Sequence, residues 1–237
     1  MKLKFTLACG LLLAGAAQAE FSGTGELGLV VNRGNSESEA ANARLELLWQ
    51  GGAWENEASA IGVYASDSGT TSANRFTLAN TLNYNLSDRS YVGGSLRYDR
   101  DKFSSFRYQS SAAAAYGYRL LTGDVHFLSV EAGPGYQFNE IRSTGKTENQ
   151  AILRAQASYE WVISETARLS NKLLIESGAD NTFAENALAL TVAVSSRISL
   201  GSGVTVRHNT DVEPGSKKTD TLTTLTLAHN FGMHGES

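Results

Sequence analysis

No cysteine follows residue 9 in this chain of 237 residues. Without a second thiol there is neither a disulfide framework nor a thiolate metal site to build on. Proline is nearly as scarce, at two residues, Pro134 and Pro214. Proline removes a ladder donor and is confined to edges, turns and bulges, so its rarity fits a chain made of paired strands. Pro214 lies in a loop signal. Pro134 falls between Gly133 and Gly135 in an otherwise extended stretch, where a bulge or local kink is expected. Long apolar runs are missing too: beyond the N-terminus nothing approaches the ~18 residues that a spanning helix needs. The histidines are His126, His208, His229 and His234, with no HExxH or zinc cluster among them. No glycine-rich phosphate loop follows a strand and opens a helix. Basic charge is in deficit: without Lys2 and Lys4 the 20 basic residues fall to 18 against 24 acidic, a net of −6. A basic stripe of the kind nucleic acid requires is absent, so nucleic acid is not an expected partner.

What is present begins with an export signal. Lys2 and Lys4 form a positive n-region, Phe5 to Ala16 an apolar h-region, and Ala17-Gln18-Ala19 a small-x-small cleavage site. Residues 1–19 are therefore expected to be removed, leaving a mature chain from Glu20. Cys9 sits in Leu7-Ala8-Cys9-Gly10, which superficially resembles a lipoprotein box, but lipidation there would leave almost no h-region.

From residue 20 to Phe231 the chain settles into a rhythm. Segments of roughly ten to fifteen residues alternate apolar with polar or small side chains, the pattern of an antiparallel up-and-down transmembrane β-barrel. Hydropathy averages miss such a chain, because only every second residue has to be apolar. The expected strands are 22–32, 37–50, 53–66, 73–86, 89–101, 106–121, 124–140, 148–163, 166–178, 186–198, 203–212 and 219–231, about twelve in all. Tight turns are expected at Gly51-Gly52, Ser87-Asp88, Thr122-Gly123, Ser164-Glu165 and Ser199–Ser202, alternating with longer connections such as Asp67–Ser72, Ile141–Thr147, Ala179–Glu185 and Glu213–Lys218. Short periplasmic turns and longer outer loops are the usual asymmetry, so both termini are expected in the periplasm. Residues 232–237 are short, polar and glycine-bearing and are expected to be a disordered tail.

Within strands the faces separate. Leu153, Ala155, Ala157, Tyr159, Trp161 and Ile163 share one face, and Arg154, Gln156, Ser158 and Glu160 the other. A two-residue Gly51-Gly52 turn would set Trp49 opposite Trp54. With Tyr84, Tyr91, Tyr116, Tyr118, Tyr159 and Trp161, which also adjoin short turns, they form an expected aromatic belt at the periplasmic interface. The alternation of Leu225, Leu227 and Phe231 marks the last strand as the expected assembly signal.

Several stretches together carry a resemblance: Gly34-Asn35-Ser36, Tyr91–Ser111 (YVGGSLRYDRDKFSSFRYQSS), Ser129–Tyr136 (SVEAGPGY) and Arg207–Phe231. They resemble the YdiY-like family of Gram-negative proteins, described as salt-induced outer-membrane proteins and otherwise undefined in function. The resemblance spans essentially the whole mature chain. It implies an outer-membrane barrel and a part in the osmotic or salt response, and it brings no catalytic residue, metal or cofactor with it.

Charges fall on the inward faces with both signs interspersed. A turn at Ser164-Glu165 would bring Glu160 opposite Arg168 and Gln156 opposite Lys172. Two readings of this interior stay open: a salt-bridged, occluded lumen, since an unpaired charge there is expensive, or a narrow hydrated pore, since twelve strands accommodate either. Arg97, Asp99 and Asp101 share one inward line climbing to the loop Lys102–Ser105, and Arg107 is expected to return beside Asp101. That cluster reads as a charge filter or as a hairpin lock. The adjacent arginines neutralise the two aspartates, which argues against a cation site. His208-Asn209-Thr210 is the nearest approach to a hydrolase constellation, and it lacks an evident nucleophile. The chain is thus read as a monomeric, non-enzymatic outer-membrane barrel without cofactor. Its expected partners are membrane lipid and lipopolysaccharide, with the barrel-assembly machinery and periplasmic chaperones during biogenesis. Either it passes small solutes or ions through a charged lumen, or it is a closed barrel whose outer loops bind lipopolysaccharide or envelope partners.

Overall fold

The computed structural model describes residues 19–32, 38–212 and 217–232. Residues 1–18 of the expected export signal, the Gly34-Asn35-Ser36 stretch, Pro214 and residues 233–237 lie outside the described residues. Twelve antiparallel strands form a closed barrel in which each pairs with its sequence neighbours and β1 with β12. They are β1 Glu20–Asn32, β2 Ser38–Gly51, β3 Trp54–Asp67, β4 Thr70–Asn85, β5 Ser90–Asp101, β6 Phe106–Thr122, β7 His126–Ile141, β8 Thr147–Val162, β9 Ala167–Gly178, β10 Thr182–Ala193, β11 Ile198–Asn209 and β12 Thr219–Gly232. Among the described residues no helix is long and apolar enough to cross a membrane. Here β1 enters and β12 leaves at one end, the terminal rim; the other end is the distal rim.

Three terminal-rim turns share one sequence device, an apolar residue followed by serine. In each, the serine hydroxyl accepts from the amide three residues on: Ser87 from Ser90 at 3.0 Å, Ser164 from Ala167 at 3.1 Å, and Ser195 from Ile198 at 3.1 Å. These side-chain bonds mimic a backbone turn. The third copy corrects the expected turn at Ser199–Ser202. The chain reverses at Val194–Arg197, so β10 and β11 each begin and end several residues earlier than the alternation alone placed them. Asp67–Ser72 is not a long loop either. Ser68 and Gly69 both have positive φ, 49° and 77°, and this mirror-image two-residue turn matches the twist of paired strands.

Other expectations shift for local reasons. The first hairpin turns at Gly52-Ala53, so Trp49 pairs with Asn56, not with Trp54. Trp54 instead faces Tyr84 across β3–β4, edge to face with centroids 4.9 Å apart. Pro134 makes no bulge: β7 keeps one register with β8 straight through it and one with β6 on either side of it. The bulges fall at Ala65/Ser66, Phe106/Tyr108 and Arg119/Leu121. Gly232, expected in the tail, is the last residue of β12 and pairs with Ser22.

The outer face carries the large apolar side chains, among them Leu96, Leu153, Leu188 and Leu227, all exposed. Aromatic residues girdle it twice. Near the terminal rim lie Trp54, Tyr84, Tyr116, Tyr118 and Trp161, with His126 stacked on both Tyr159 and Trp161. A second girdle near the distal rim, not anticipated from the sequence, comprises Tyr64, Phe76, Tyr98, Tyr136 and Phe138, with Tyr108 stacked on Tyr98. Two girdles flanking an apolar band are the mark of a transmembrane barrel. Tyr91 belongs to neither. Alternation on β5 puts it with Arg97 on the lumen side, where it is 5% exposed and its hydroxyl donates to Glu131 at 3.1 Å.

Candidate functional site: a charged bar across the lumen

Inward alternation on β5 delivers Arg97 and Asp99, and on β10 and β11 it delivers Glu185 and Arg207. In a ring of twelve strands β5 lies opposite β10 and β11, yet these four side chains meet. Arg97 Nη2 is 2.9 Å from Glu185 Oε2 and its Nε 2.5 Å from Asp99 Oδ2. Arg207 closes the square, with Nε 2.6 Å from Glu185 Oε2 and Nη1 3.3 Å from Asp99 Oδ1. Thr77 on β4 donates to Asp99 at 2.6 Å, and the Arg97 guanidinium lies over the Phe183 ring, 5.4 Å from its centroid. Two cations and two anions thus neutralise one another in a bar joining opposite walls. Mutual pairing is the condition under which buried charge is tolerated.

The interior beside the bar is packed. Glu176 on β9 accepts from Ser111 on β6 at 2.7 Å and from Gln137 on β7 at 3.2 Å, and Gln150 donates to Gln137 at 3.0 Å. Arg154 and Glu131 form an ion pair with side chains 7% and 6% exposed. The void enclosed by Arg97, Asp99, Gln109, Gln137, Glu176 and Phe183 is about 10 Å³, room for about one water molecule.

Two of the expected cluster's four members hold as a unit. Asp101 is occupied by Arg75 at 2.7 Å. Arg107 does not return beside it: the Phe106/Tyr108 bulge turns Arg107 outward, where it is 55% exposed and pairs with Glu140 at 2.6 Å. The bar's other half, Glu185 and Arg207, came together from residues the sequence left apart. The alternation alone starts β10 at residue 186 and leaves Glu185 in a loop, whereas the strand begins four residues earlier, at Thr182. The serine that opens the Val194–Arg197 turn, matching Ser87 and Ser164, is the signal that would have set it right.

Closer to the terminal rim the charges are wetter. Lys172 on β9 reaches Glu57 on β3, directly across the barrel, at 2.9 Å, with side chains 44% and 40% exposed. Gln156, expected opposite Lys172, pairs with Leu174, because the β8–β9 hairpin closes at Ile163 and Ala167 around three residues rather than two. For the same reason Glu160 lies opposite Ser170, and its 3.0 Å contact with Arg168 is diagonal. Arg119 stacks over Tyr91, 5.0 Å from its centroid, and binds Glu55 at 3.0 Å. The inward faces of β10–β12, by contrast, are mostly small and uncharged below the bar: Ala187, Ala189, Thr191, Gly201, Gly203, Thr224 and Thr226. Among the described residues no cluster of three or more potential metal ligands occurs.

The same barrel appears in solved structures. The chain superposes on the translocator domain of the autotransporter NalP from Neisseria meningitidis with a TM-score of 0.50 and 16% identity, covering 93% of this chain and 90% of that one. An outer membrane channel from Pseudomonas putida F1 gives 0.52 and 13%, covering 93% and 97%. The NanC porin gives 0.51 and 12%, covering 91% and 99%. At such identities the likeness is one of fold, that of outer-membrane β-barrels. In sequence the chain is 26% identical over 219 residues to the uncharacterized protein YdiY of Escherichia coli K12, across 91% of this chain and 85% of that protein. With a family profile matching residues 25–231, the chain belongs to the protein family of unknown function DUF481.

Proposed function

We propose that this protein is an outer-membrane channel for small solutes or ions that rests closed, gated by Arg97, Asp99, Glu185 and Arg207, and that it serves envelope adaptation to salt or osmotic conditions. The observation that carries the proposal is the bar itself: four mutually neutralising charges join opposite walls at one level, above a wetter, charge-lined lumen. A purely structural barrel can fill its interior with apolar side chains; rings and clusters of charge are what pores use to discriminate ions at close quarters. Two of the proteins sharing the fold are a channel and a porin. The salt connection rests on the family resemblance and on the Lys172–Glu57 bridge, which is half-buried and still touched by solvent. Solvent-accessible pairs weaken as the Debye length falls from ~10 Å at 0.1 M to ~3 Å at 1 M.

In this reading the signal is cleaved after Ala19 and the terminal rim faces the periplasm. Leu225, Leu227 and Phe231 present the outward face of β12 to the assembly machinery. The barrel is a monomer in contact with membrane lipid and lipopolysaccharide, and it catalyses no reaction. The competing reading, a permanently closed barrel whose loops bind envelope partners, is favoured by the tightness of the packing around Glu176 and Arg154.

Planar-bilayer conductance separates the two. Replacing Arg97 and Glu185 together by serine removes one cation and one anion and keeps the bar neutral, so the variant should fold and conduct where wild type is mostly closed. Arg97→Ser with Arg207→Ser should then favour cations, and Asp99→Asn with Glu185→Gln anions, each preference shrinking in high salt. If every variant folds and stays electrically silent, the closed barrel is the correct reading.

A further inference from the structure

The barrel is not sealed evenly. Eleven of its seams run for ten or more paired residues, whereas β1 and β12 pair over six, from Ser22↔Gly232 to Leu27↔Leu227. Beyond that point β1 continues to Asn32, paired only with β2 among the described residues, and β12 extends back to Thr219, paired only with β11. The strands also leave each other's plane. A Cβ on Gly28, whose side-chain direction is inward, would sit 2.5 Å from the Leu225 carbonyl oxygen. The Leu225 carbonyl therefore tips to the lumen side of β1 just where pairing stops.

Two features converge there. Leu29 and Leu225 are the two most exposed large apolar side chains among the described residues, at 77% and 71%. Between Glu26 on β1 and Asp220 on β12, the lumen wall behind the seam carries hydroxyls and one apolar side chain, from Thr205, Leu222, Thr224 and Thr226 on β11 and β12. Outward residues change from Leu225 to Thr223 and Thr221 at this level, so the unpaired backbone lies at the border of the apolar band. Water can reach its N–H and C=O groups there, which it cannot do at the bilayer centre.

We propose that the distal half of the β1–β12 seam is a lateral portal through which small, uncharged, apolar molecules pass between the lumen and the outer leaflet. The charged bar suits ions and polar solutes and opposes apolar ones; the seam offers apolar side chains outside and, between Glu26 and Asp220, hydroxyls and Leu222 inside. The portal is independent of the bar.

The test uses 1-N-phenylnaphthylamine, a small apolar dye that fluoresces on entering the cell envelope, with Gram-negative cells producing the full-length protein. Continued register would set Leu29 against Leu225, so Leu29→Cys/Leu225→Cys is the portal lock, and Leu27→Cys/Leu227→Cys, at a pair already joined, is the control. Cells with wild type should take up dye faster than cells without the protein. Oxidising the portal variant should remove that gain and a reductant should restore it; oxidising the control should change nothing. Heat-shifted migration on gels confirms that both variants fold. Uptake indifferent to the portal lock, or no gain from wild type, overturns the proposal. Dye uptake that rises in Arg97→Ser/Glu185→Ser and ignores the seam overturns it too, in favour of an axial route; conductance through that variant with dye uptake unchanged supports two separate paths.

Discussion

Asparagine is out of place on a face that meets hydrocarbon, yet Asn56 and Asn80 point outward beside Leu78 and Leu82. Their amides close a reciprocal pair, Asn56 Nδ2 to Asn80 Oδ1 at 3.3 Å and Asn80 Nδ2 to Asn56 Oδ1 at 3.2 Å, and each donates again to a backbone carbonyl, of Thr81 and Glu57. Six strands away Asn171 and Asn186 repeat the arrangement, at 3.2 Å in both directions. An amide that satisfies its twin presents little unmet polarity to lipid, whereas one deprived of its partner carries the full desolvation penalty. Asn80→Ala should therefore cost about 1–3 kcal/mol, and Asn56→Leu/Asn80→Leu together much less. Guanidinium unfolding of the protein in lipid vesicles, followed by tryptophan emission, gives both values. A neutral Asn80→Ala would mean that water, not lipid, covers this site. Alternation places both asparagines on the apolar face of their strands, but only the diagonal register of β3 and β4 makes them partners.

At the scale of elements, alternation decides which face of a strand meets lipid, and depth decides how strictly. Leu96 is central in β5 and 62% exposed on the outer face, while Trp54 stands at the terminal-rim girdle. An arginine costs ~2–4 kcal/mol at the midplane and ~0–1 kcal/mol near the interface, so Leu96→Arg should impair assembly or stability far more than Trp54→Arg. Equal tolerance would mean that the outer face of β5 is misassigned. The β10–β11 hairpin tests turn position. Ser196, in the turn, should react with a water-soluble maleimide when changed to cysteine, and Ser202, on the outer face of β11, should resist. Most of the twelve strands were legible to within a residue or two because alternation and turn residues agreed. β10 and β11 were not, because Gly201 and Gly203 look like a turn when they are in fact small residues on the lumen wall. The bulge that expels Arg107 was equally hidden: nothing in Phe106-Arg107-Tyr108 distinguishes an extra residue from an ordinary pair.

For the whole molecule, closure leaves few free backbone groups and resists detergent. The folded protein should migrate faster on gels before boiling than after, and N-terminal sequencing of membrane-extracted protein should begin at Glu20. A chain that begins at Met1, or that stays soluble without detergent, would contradict export and insertion. The closed ring also explains why the interior is so heavily cross-linked. Lys172–Glu57 and the Arg97–Asp99–Glu185–Arg207 square each tie strands five or six places apart, so the barrel is braced across its lumen as well as around its wall.

The sequence by itself determined the outer-membrane barrel class, the twelve strands, the sidedness of nearly every residue and the presence of paired charge inside. These follow from a period of two and from turn chemistry, both local. Which charge meets which was decided only by closure. Contacts across a lumen depend on how opposite walls superpose in height, and each turn length, bulge and register step accumulates in that height. Arg97 and Asp99 were legible as a pair because they share a strand. Glu185 and Arg207 join them because the intervening strands β6–β9 bring β10 and β11 back opposite β5, and the short seam between β1 and β12 exists only where the first and last strands meet.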